Sequence, residues 1–433
     1  MREMKDSGYP WLGDIPRGWI ICRIKNLFID NKDGIKVGPF GSSLGSAVVS
    51  EDEGQYKIYG QANLIRRDFE YGDNYVKEED YHRLIGYKVL PGDITVSMMG
   101  TIGKCSVVPD NIQAGIMDSH LIKIRLKSEF VPKYFEYLYE SDAVYTQLLL
   151  KNKGSIMTGL NSSIVKGVYF IEPPLDEQQA IVDFLDSKCA EIDALSEDIQ
   201  KEIETLEAYK KSVITEAVTK GLDPDVEMKD SGIEWVGKIP ATWEIHPVYC
   251  YFGERKNKNY ALQEQNLLSL SYGKIIRKDI DTAGGLLPAS FNTYNIVEAD
   301  DIIIRPTDLQ NDKRSLRTGL VTERGIITSA YINLAPKGDI NSQYFHYLLH
   351  SYDVQKVFYN MGNGVRQGLN YSEFSKMMVF SPTRAEQDEI VVFLNQKCDE
   401  IETIIADKQK QLEVLAEYKK SVIYEYVTGK KEV

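Results

Sequence analysis

Cysteine is scarce in this chain. Only Cys22, Cys105, Cys189, Cys250 and Cys398 occur in 433 residues. None share CxxC spacing and the count is odd, which fits reduced thiols rather than a disulfide frame. Five histidines are equally sparse; His346 and His350 stand i, i+4, but no third ligand lies nearby to complete a metal site. No stretch approaches the roughly 18 uninterrupted apolar residues of a membrane helix, and the opening MREMKDSGYPW lacks an apolar signal core, so a cytoplasmic protein is expected. Catalytic signatures are missing too. GPFGSSLGS at Gly38–Ser46 and MGTIGK at Met99–Lys104 both fall short of the phosphate-cradling GxxxxGK[ST] pattern, and no GxSxG, HExxH or dinucleotide-type turn occurs. Asp118, Ser119 and His120 are adjacent, but neighbours on a strand face opposite ways, which argues against a triad. No metal site and no catalytic role are expected.

What the chain has is repetition. The stretch Glu177–Gly221, EQQAIVDFLDSKCAEIDALSEDIQKEIETLEAYKKSVITEAVTKG, returns altered at Glu386–Lys430, with 24 identities at an offset of 209 positions. Leu185, Ile192, Ile199, Leu206 and Val213 recur every seventh residue, thickened by Ile181, Leu195, Ile203 and Tyr209, and no Gly or Pro interrupts the body of either copy. At about 1.5 Å per residue each helix is roughly 65 Å long, so its apolar stripe needs a cover. The natural cover is the other copy, whose stripe reads Leu394, Ile401, Lys408, Leu415 and Val422. Lys408 is either a register device or a lysine that snorkels outward. Cys189 and Cys398 occupy the same position in the two copies and are expected to pack as small apolar side chains.

The flanking text is duplicated as well. MKDSGYPWLGDIPRGW near the start is echoed by MKDSGIEWVGKIPATW at Met228–Trp243, an irregular segment expected to dock through Trp11, Trp19, Trp235 and Trp243. Short β-rich runs, a helix over Lys133–Leu150, a loop with Gly159, Leu160 and Asn161 and a closing strand then recur as Asn295–Pro306, Gln343–Tyr359, Gly368, Leu369 and Asn370, and Lys376–Pro382. By contrast, Ile35–Tyr87 has no match in Arg255–Ile296. The expected class is α+β, with two similar mixed domains separated by two long helices in an antiparallel coiled coil. The expected bounds are 1–173 and 222–381 for the domains and 174–221 and 382–433 for the helices.

The net charge of −13 at first opposes a nucleic-acid partner. Its distribution reverses that impression. Glu177–Gly221 holds 11 acidic and 5 basic residues and Glu386–Lys430 holds 10 and 6, so the helices account for −10. The clusters Arg255/Lys256/Lys258, Lys274/Arg277/Lys278 and Lys313/Arg314/Arg317 leave the second domain a candidate DNA binder.

Two variable domains, each followed by one of a duplicated pair of helices, resemble the specificity subunit of type I restriction-modification systems. The residues that carry the likeness are PPLDEQQAIVDFLDSK, its echo SPTRAEQDEIVVFLNQK, the two YKKSVI blocks and the two SGxxWxGxIPxxW segments. PTRAEQ against PLDEQ suggests one extra residue that would shift the second helix. The resemblance implies that each domain reads one half of a bipartite DNA target and that the helices act as spacer. It further implies no catalytic activity in this chain, docking of two methyltransferase subunits that use S-adenosylmethionine, and restriction subunits that use ATP and Mg. Readers entering successive major grooves lie about 10 bp apart, leaving about 6 bp unread, and unlike central segments make the target asymmetric. Groove readout uses Arg, Lys, Asn, Gln and Ser on loops. The candidates are Ser42, Ser43, Gln61, Asn63, Thr101, Asn161 and Ser162 in the first domain. In the second they are Lys274, Arg305, Asn311, Lys313, Arg314, Arg366 and Asn370. The competing class is a non-enzymatic coiled-coil scaffold whose globular ends bind proteins; a methyltransferase acting alone would need the missing methyl-donor motif.

Overall fold

The computed structural model describes all residues except 1, 30–32, 152–158, 281–289, 308, 310–315, 358–360 and 362–367. The chain divides into two compact units, Met1–Ile199 with Lys410–Val433, and Gln200–Gln409. The two long helices, Leu175–Lys220 and Arg384–Val427, each contribute one portion to each unit.

The first unit opens with an antiparallel hairpin, Met4–Asp6 against Asp14–Pro16. Its second copy, Met228–Asp230 against Lys238–Pro240, opens the rest of the other unit. An irregular segment was the expectation; the difference lies in turn chemistry. Asp6 and Asp230 accept the N–H of Gly8 and Gly232 at 2.9 Å, and Gly8, Gly13, Gly232 and Gly237 take φ near +70°, which closes the loop between strands too short and polar to read as such. Trp19 and Trp243 are fully buried. Each indole N–H donates to the glutamate in the first turn of a long helix, Trp19 to Glu177 at 2.8 Å and Trp243 to Glu386 at 2.9 Å.

Both units then share one frame. In the first, Ile35–Val37, Leu121–Ile124, Ile94–Ser97 and Cys105–Val107 form a four-stranded antiparallel sheet in that order. In the second, Phe252–Glu254, Ile332–Pro336, Ile302–Ile304 and Thr318–Leu320 repeat it. The closing strands Tyr169–Glu172 and Met378–Ser381 pair with Ile20–Arg23 and Glu244–Pro247. What lies between differs, as the unmatched text requires. The first unit carries three short helices and a mixed sheet around Tyr56–Tyr59 and Gly115–Met117; the second carries a hairpin, Leu268–Ser271 with Lys274–Arg277, and a two-stranded pair, Asn295–Val297 with Gly325–Ile327.

The helix expected over Lys133–Leu150 is two helices, Pro132–Glu140 and Asp142–Lys151, broken at an extended Ser141. The break lets Gln147 clamp the backbone of Tyr169, donating to its carbonyl at 2.9 Å and accepting its N–H at 2.8 Å. Its counterpart Ser342–Val354 is continuous.

Within each unit the portions of the long helices run antiparallel. Asp193 pairs with Lys419 in the first unit; Glu202 with Lys408 and Lys210 with Glu402 in the second. Lys408 thus turns sideways to the facing helix instead of filling the seam. Leu185, Ile192, Ile199, Ile203, Leu394, Ile401 and Val422 are buried, as are Cys189 and Cys398. Leu195 and Tyr209, expected to thicken the stripe, are 50% and 55% exposed, because a two-helix contact covers only a narrow seam.

The repeated residues hold helix to domain. Gln178 accepts the N–H of Val131 at 2.8 Å and donates to the Pro173 carbonyl; Gln387 accepts the N–H of Asn341 at 2.8 Å and donates to the Pro382 carbonyl. Both long helices start 209 positions apart with these contacts intact, so no extra residue shifts the second. The buried Tyr134 hydroxyl donates to the Val427 carbonyl at the far end of the second long helix, and Tyr344 donates likewise to Val218 of the first.

Candidate nucleic-acid interface

In the first unit, loops following several strands meet at one end of the two sheets. The approach is tight enough to exclude side chains: a Cβ on Gly38 would lie 1.7 Å from the Asp118 carbonyl oxygen, and one on Gly60 2.8 Å from the Asp118 carboxylate. Asp118 N–H donates to the Tyr59 carbonyl, Met98 N–H to the His120 carbonyl at 3.0 Å, and Leu160 N–H to the Met98 carbonyl at 2.7 Å. The last contact recurs in the second unit, where Leu369 N–H donates to the Pro306 carbonyl at 2.9 Å. The segments Gly38–Ser43, Gly60–Gln61, Met98–Thr101, Asp118–His120 and Gly159–Ser162 therefore form one surface.

Two of the candidate readers are in direct contact. Gln61 Nε2 donates to Thr101 Oγ1 and Ser97 Oγ, each at 2.7 Å, and to the Met99 carbonyl; the two hydroxyls lie 2.8 Å apart. This clip fixes a loop that needs left-handed φ at Gly100 (+71°). Ser42 is exposed and Ser43 partly so, on the short helix Gly41–Leu44. Asn161 caps the helix Ser162–Lys166 by accepting the Ile164 N–H at 2.9 Å, and Asn370 caps Tyr371–Phe374 by accepting that of Glu373 at 3.0 Å. The shared Gly-Leu-Asn is thus a buried leucine followed by a helix cap. Asn63 is 4% exposed; its oxygen accepts the Gly60 N–H and its amide donates to the Asp68 and Tyr71 carbonyls, so its polar atoms serve the backbone and not a base.

In the second unit Lys274 is exposed and pairs with Glu402 at 3.3 Å, and Arg305 follows the strand Ile302–Ile304. Asn311, Lys313, Arg314 and Arg366 lie outside the described residues. Arg317 is fully buried; its guanidinium donates to the Thr307 and Arg305 carbonyls and holds the loop that Gln61 holds in the first unit. The basic clusters are less free than their text suggests. Arg255 is bidentate to buried Asp301, Lys256 pairs with Glu254 and Arg277 with Glu323. Exposed pairs of this kind are worth roughly 0–1 kcal/mol and exchange readily for phosphate, whereas Arg255 and Arg317 are structural.

Sequence reasoning missed Phe40, Ser97, Met99 and His120 on the converged surface. Phe40 is 84% exposed, and its only signal was an aromatic set inside a glycine-rich loop. Asp118, Ser119 and His120 form a turn, not a strand. Asp118 Oδ2 (3.3 Å) and Ser119 Oγ (3.4 Å) both face His120 Nδ1, whereas a triad needs them on opposite ring nitrogens. Burial raises the Asp118 pKa, opposed by the His120 contacts. His346 and His350 are held neutral, burial pushing them down to about 4 and about 3. Among the described residues no cluster of His, Cys, Asp or Glu could hold a metal ion, and no helix is long and apolar enough to cross a membrane.

Residues 46–205 match the family described as Type I restriction modification DNA specificity domain. The chain is 24% identical over 439 residues to the putative type I restriction enzyme MjaX specificity subunit of Methanocaldococcus jannaschii, covering 97% of this chain and 95% of that protein. The type I restriction enzyme MjaVIII specificity subunit of the same organism is 23% identical over 332 residues, 73% and 74% of the two. A structure reported for complex assembly and conformational transition of the type I R-M system superposes with a TM-score of 0.68 at 14% identity, over 96% of this chain and 99% of that one. The HsdS subunit of Thermoanaerobacter tengcongensis gives 0.51 at 12%, over 96% and 98%. At such identities these two likenesses speak to the fold alone. A duplicated α+β frame with unlike inserts, matched along nearly its whole length by specificity subunits, defines a DNA sequence-recognition protein. The chain is similar to the specificity subunits of type I restriction-modification systems.

Proposed function

We propose that each unit reads one half of an asymmetric bipartite DNA target through the loops gathered at one end of its sheets, and that the long helices set the unread spacer and dock two methyltransferase subunits. The observation that carries this reading is one sheet frame built twice, with different inserts at the same place in it. A common frame presents each reader in the same way; unlike inserts offer the DNA different groups. The surface of the first unit offers Ser42, Ser43, Thr101, Ser162 and the carboxamides of Gln61 and Asn161; in the second unit the candidates among the described residues are Lys274, Arg305 and Asn370. Hydroxyl and amide groups suit base edges, and exposed lysines suit phosphates. The chain itself is non-catalytic in this reading. Adenine methylation with S-adenosylmethionine belongs to the methyltransferase subunits, and ATP and Mg to restriction subunits that join them in the cytoplasm. Exchanging residues 20–173 for those of a relative with another target, followed by sequencing of methylated adenines in the host, is expected to change one half of the methylated motif and leave the other intact. Change in both halves, or motif-specific methylation that persists without this gene, would refute the reading and favour a protein-binding scaffold.

A further inference from the structure

The two long helices are repeats, yet their far ends are not equivalent. In the first unit Tyr426 packs on Phe184, ring centroids 4.3 Å apart. At the same places in the 209-residue repeat, the second unit has Ala217 and Phe393. Phe393 keeps its ring but loses its partner, and a cleft of about 870 Å³ opens there, lined by Tyr209, Val213, Ala217, Leu222, Val236 and Phe393 among others. The neighbours register the same difference. Leu12 and Val422 are 2% and 4% exposed in the filled half, whereas their counterparts Val236 and Val213 are only partly buried in the open half. Ala217 itself is 3% exposed, so the half-covered apolar surface is the one beside it, at Val213, Val236 and Phe393, and that surface is an unfinished packing site.

The filled half also says what completes it: an aromatic ring laid against a phenylalanine. The cleft is continuous with Tyr209, 55% exposed on the helix face, so a ring carried by a subunit docked on that face would reach it. We propose that the cleft takes an aromatic side chain of one docked methyltransferase subunit, which makes the two docking surfaces unequal despite their duplicated sequence. The inference rests on the docking role given above. The subunit seated on the second unit has an anchor that the chain's own Tyr426 denies to the one seated on the first. Assembly is then stepwise, with the second unit occupied first.

The test titrates the full chain with the methyltransferase subunit of the same system, followed by calorimetry and native mass spectrometry. Two copies are expected to bind with affinities about tenfold or more apart, the scale of an interface aromatic anchor. Ala217→Tyr, which installs the residue the first unit already tolerates, is expected to weaken the tighter site to the level of the other while leaving the thermal midpoint unlowered. Phe393→Ala removes the floor by opposite chemistry and is expected to weaken the same site. Equal affinities in the wild-type chain, or both affinities within about twofold of wild type in both variants, would overturn the cleft as an anchor and leave docking untouched. Failure of the wild-type chain to bind any methyltransferase subunit would overturn docking itself.

Discussion

Mild acid is expected to loosen the second unit selectively, through two histidines. His346 and His350 lie one turn apart on the helix Ser342–Val354, at the edge of a cleft that also includes Lys210 and Glu402. Burial lowers both pKa values, to about 4 and about 3, and His350 is lowered further by His346, Lys210 and Lys211. Nε2 of His346 is buried without a hydrogen-bond partner. Both rings are therefore neutral in the folded unit, while the unfolded chain takes up protons near pH 6.5. Because the unfolded state binds more protons, the stabilising effect is fully present above pH 6.5 and is lost as pH falls from there toward the folded values. Between pH 7.5 and 5.5 each histidine removes at most about 1.4 kcal/mol, so the pair removes about 3 kcal/mol, a large part of an ordinary domain's stability. The described histidines of the first unit, His82 and His120, have exposed side chains. Hydrogen exchange read by mass spectrometry at the two pH values, corrected for intrinsic rates, resolves the units separately. Protection should fall in the second unit and hold in the first, and the double variant His346→Gln/His350→Gln should lose the pH dependence whatever its starting stability. An equal fall in the double variant, or none in the wild-type chain, would refute the reasoning.

Two further outcomes follow from buried polar contacts. Gln387→Ala strands the part-buried N–H of Asn341 and releases the Pro382 carbonyl, so urea unfolding should show a loss of about 1–2 kcal/mol; a loss under about 0.5 kcal/mol would mean the contact does not hold helix to domain. Gln61→Ala frees the loop Met98–Thr101, and the methylated motif should become degenerate in one half only at a stability cost of about 1 kcal/mol; an unchanged motif would remove that loop from the reading surface.

How much was legible in the sequence depended on what each residue type was doing. Repeated residues announced themselves: Trp19 with Glu177, Gln178 with its two backbone partners and Tyr134 with the end of the opposite helix recur as Trp243, Gln387 and Tyr344 because each joins a helix to a domain, and that joint is built twice. Charge was misleading. Arg255 and Arg317 resemble Lys274 on the page, yet one is locked on Asp301 and the other is buried under its own loop, and sequence alone carries no sign of which cation has found a partner. Asn63 and Asn161 both read as groove-facing amides, but one closes a turn and the other caps a helix, roles set by backbone that only folding places.

The repeat itself supplies a way to tell support from specificity. A residue identical in both halves and bonded alike in both, such as Gln178 and Gln387, supports the frame, because the frame is all the halves have in common. A residue that differs while serving one purpose, such as Gln61 and Arg317 holding equivalent loops, lies where the halves were free to diverge, and divergence there changes the groups the loop presents. Ala217 and Tyr426 belong to neither kind. They sit in the duplicated helices, where 24 of 45 positions are identical, and their difference accompanies a cleft in the second unit. On the proposed reading, a chain that reads two unlike half-sites needs unlike loops; it has no comparable need for unlike helix ends unless the subunits proposed to dock there are themselves held unequally.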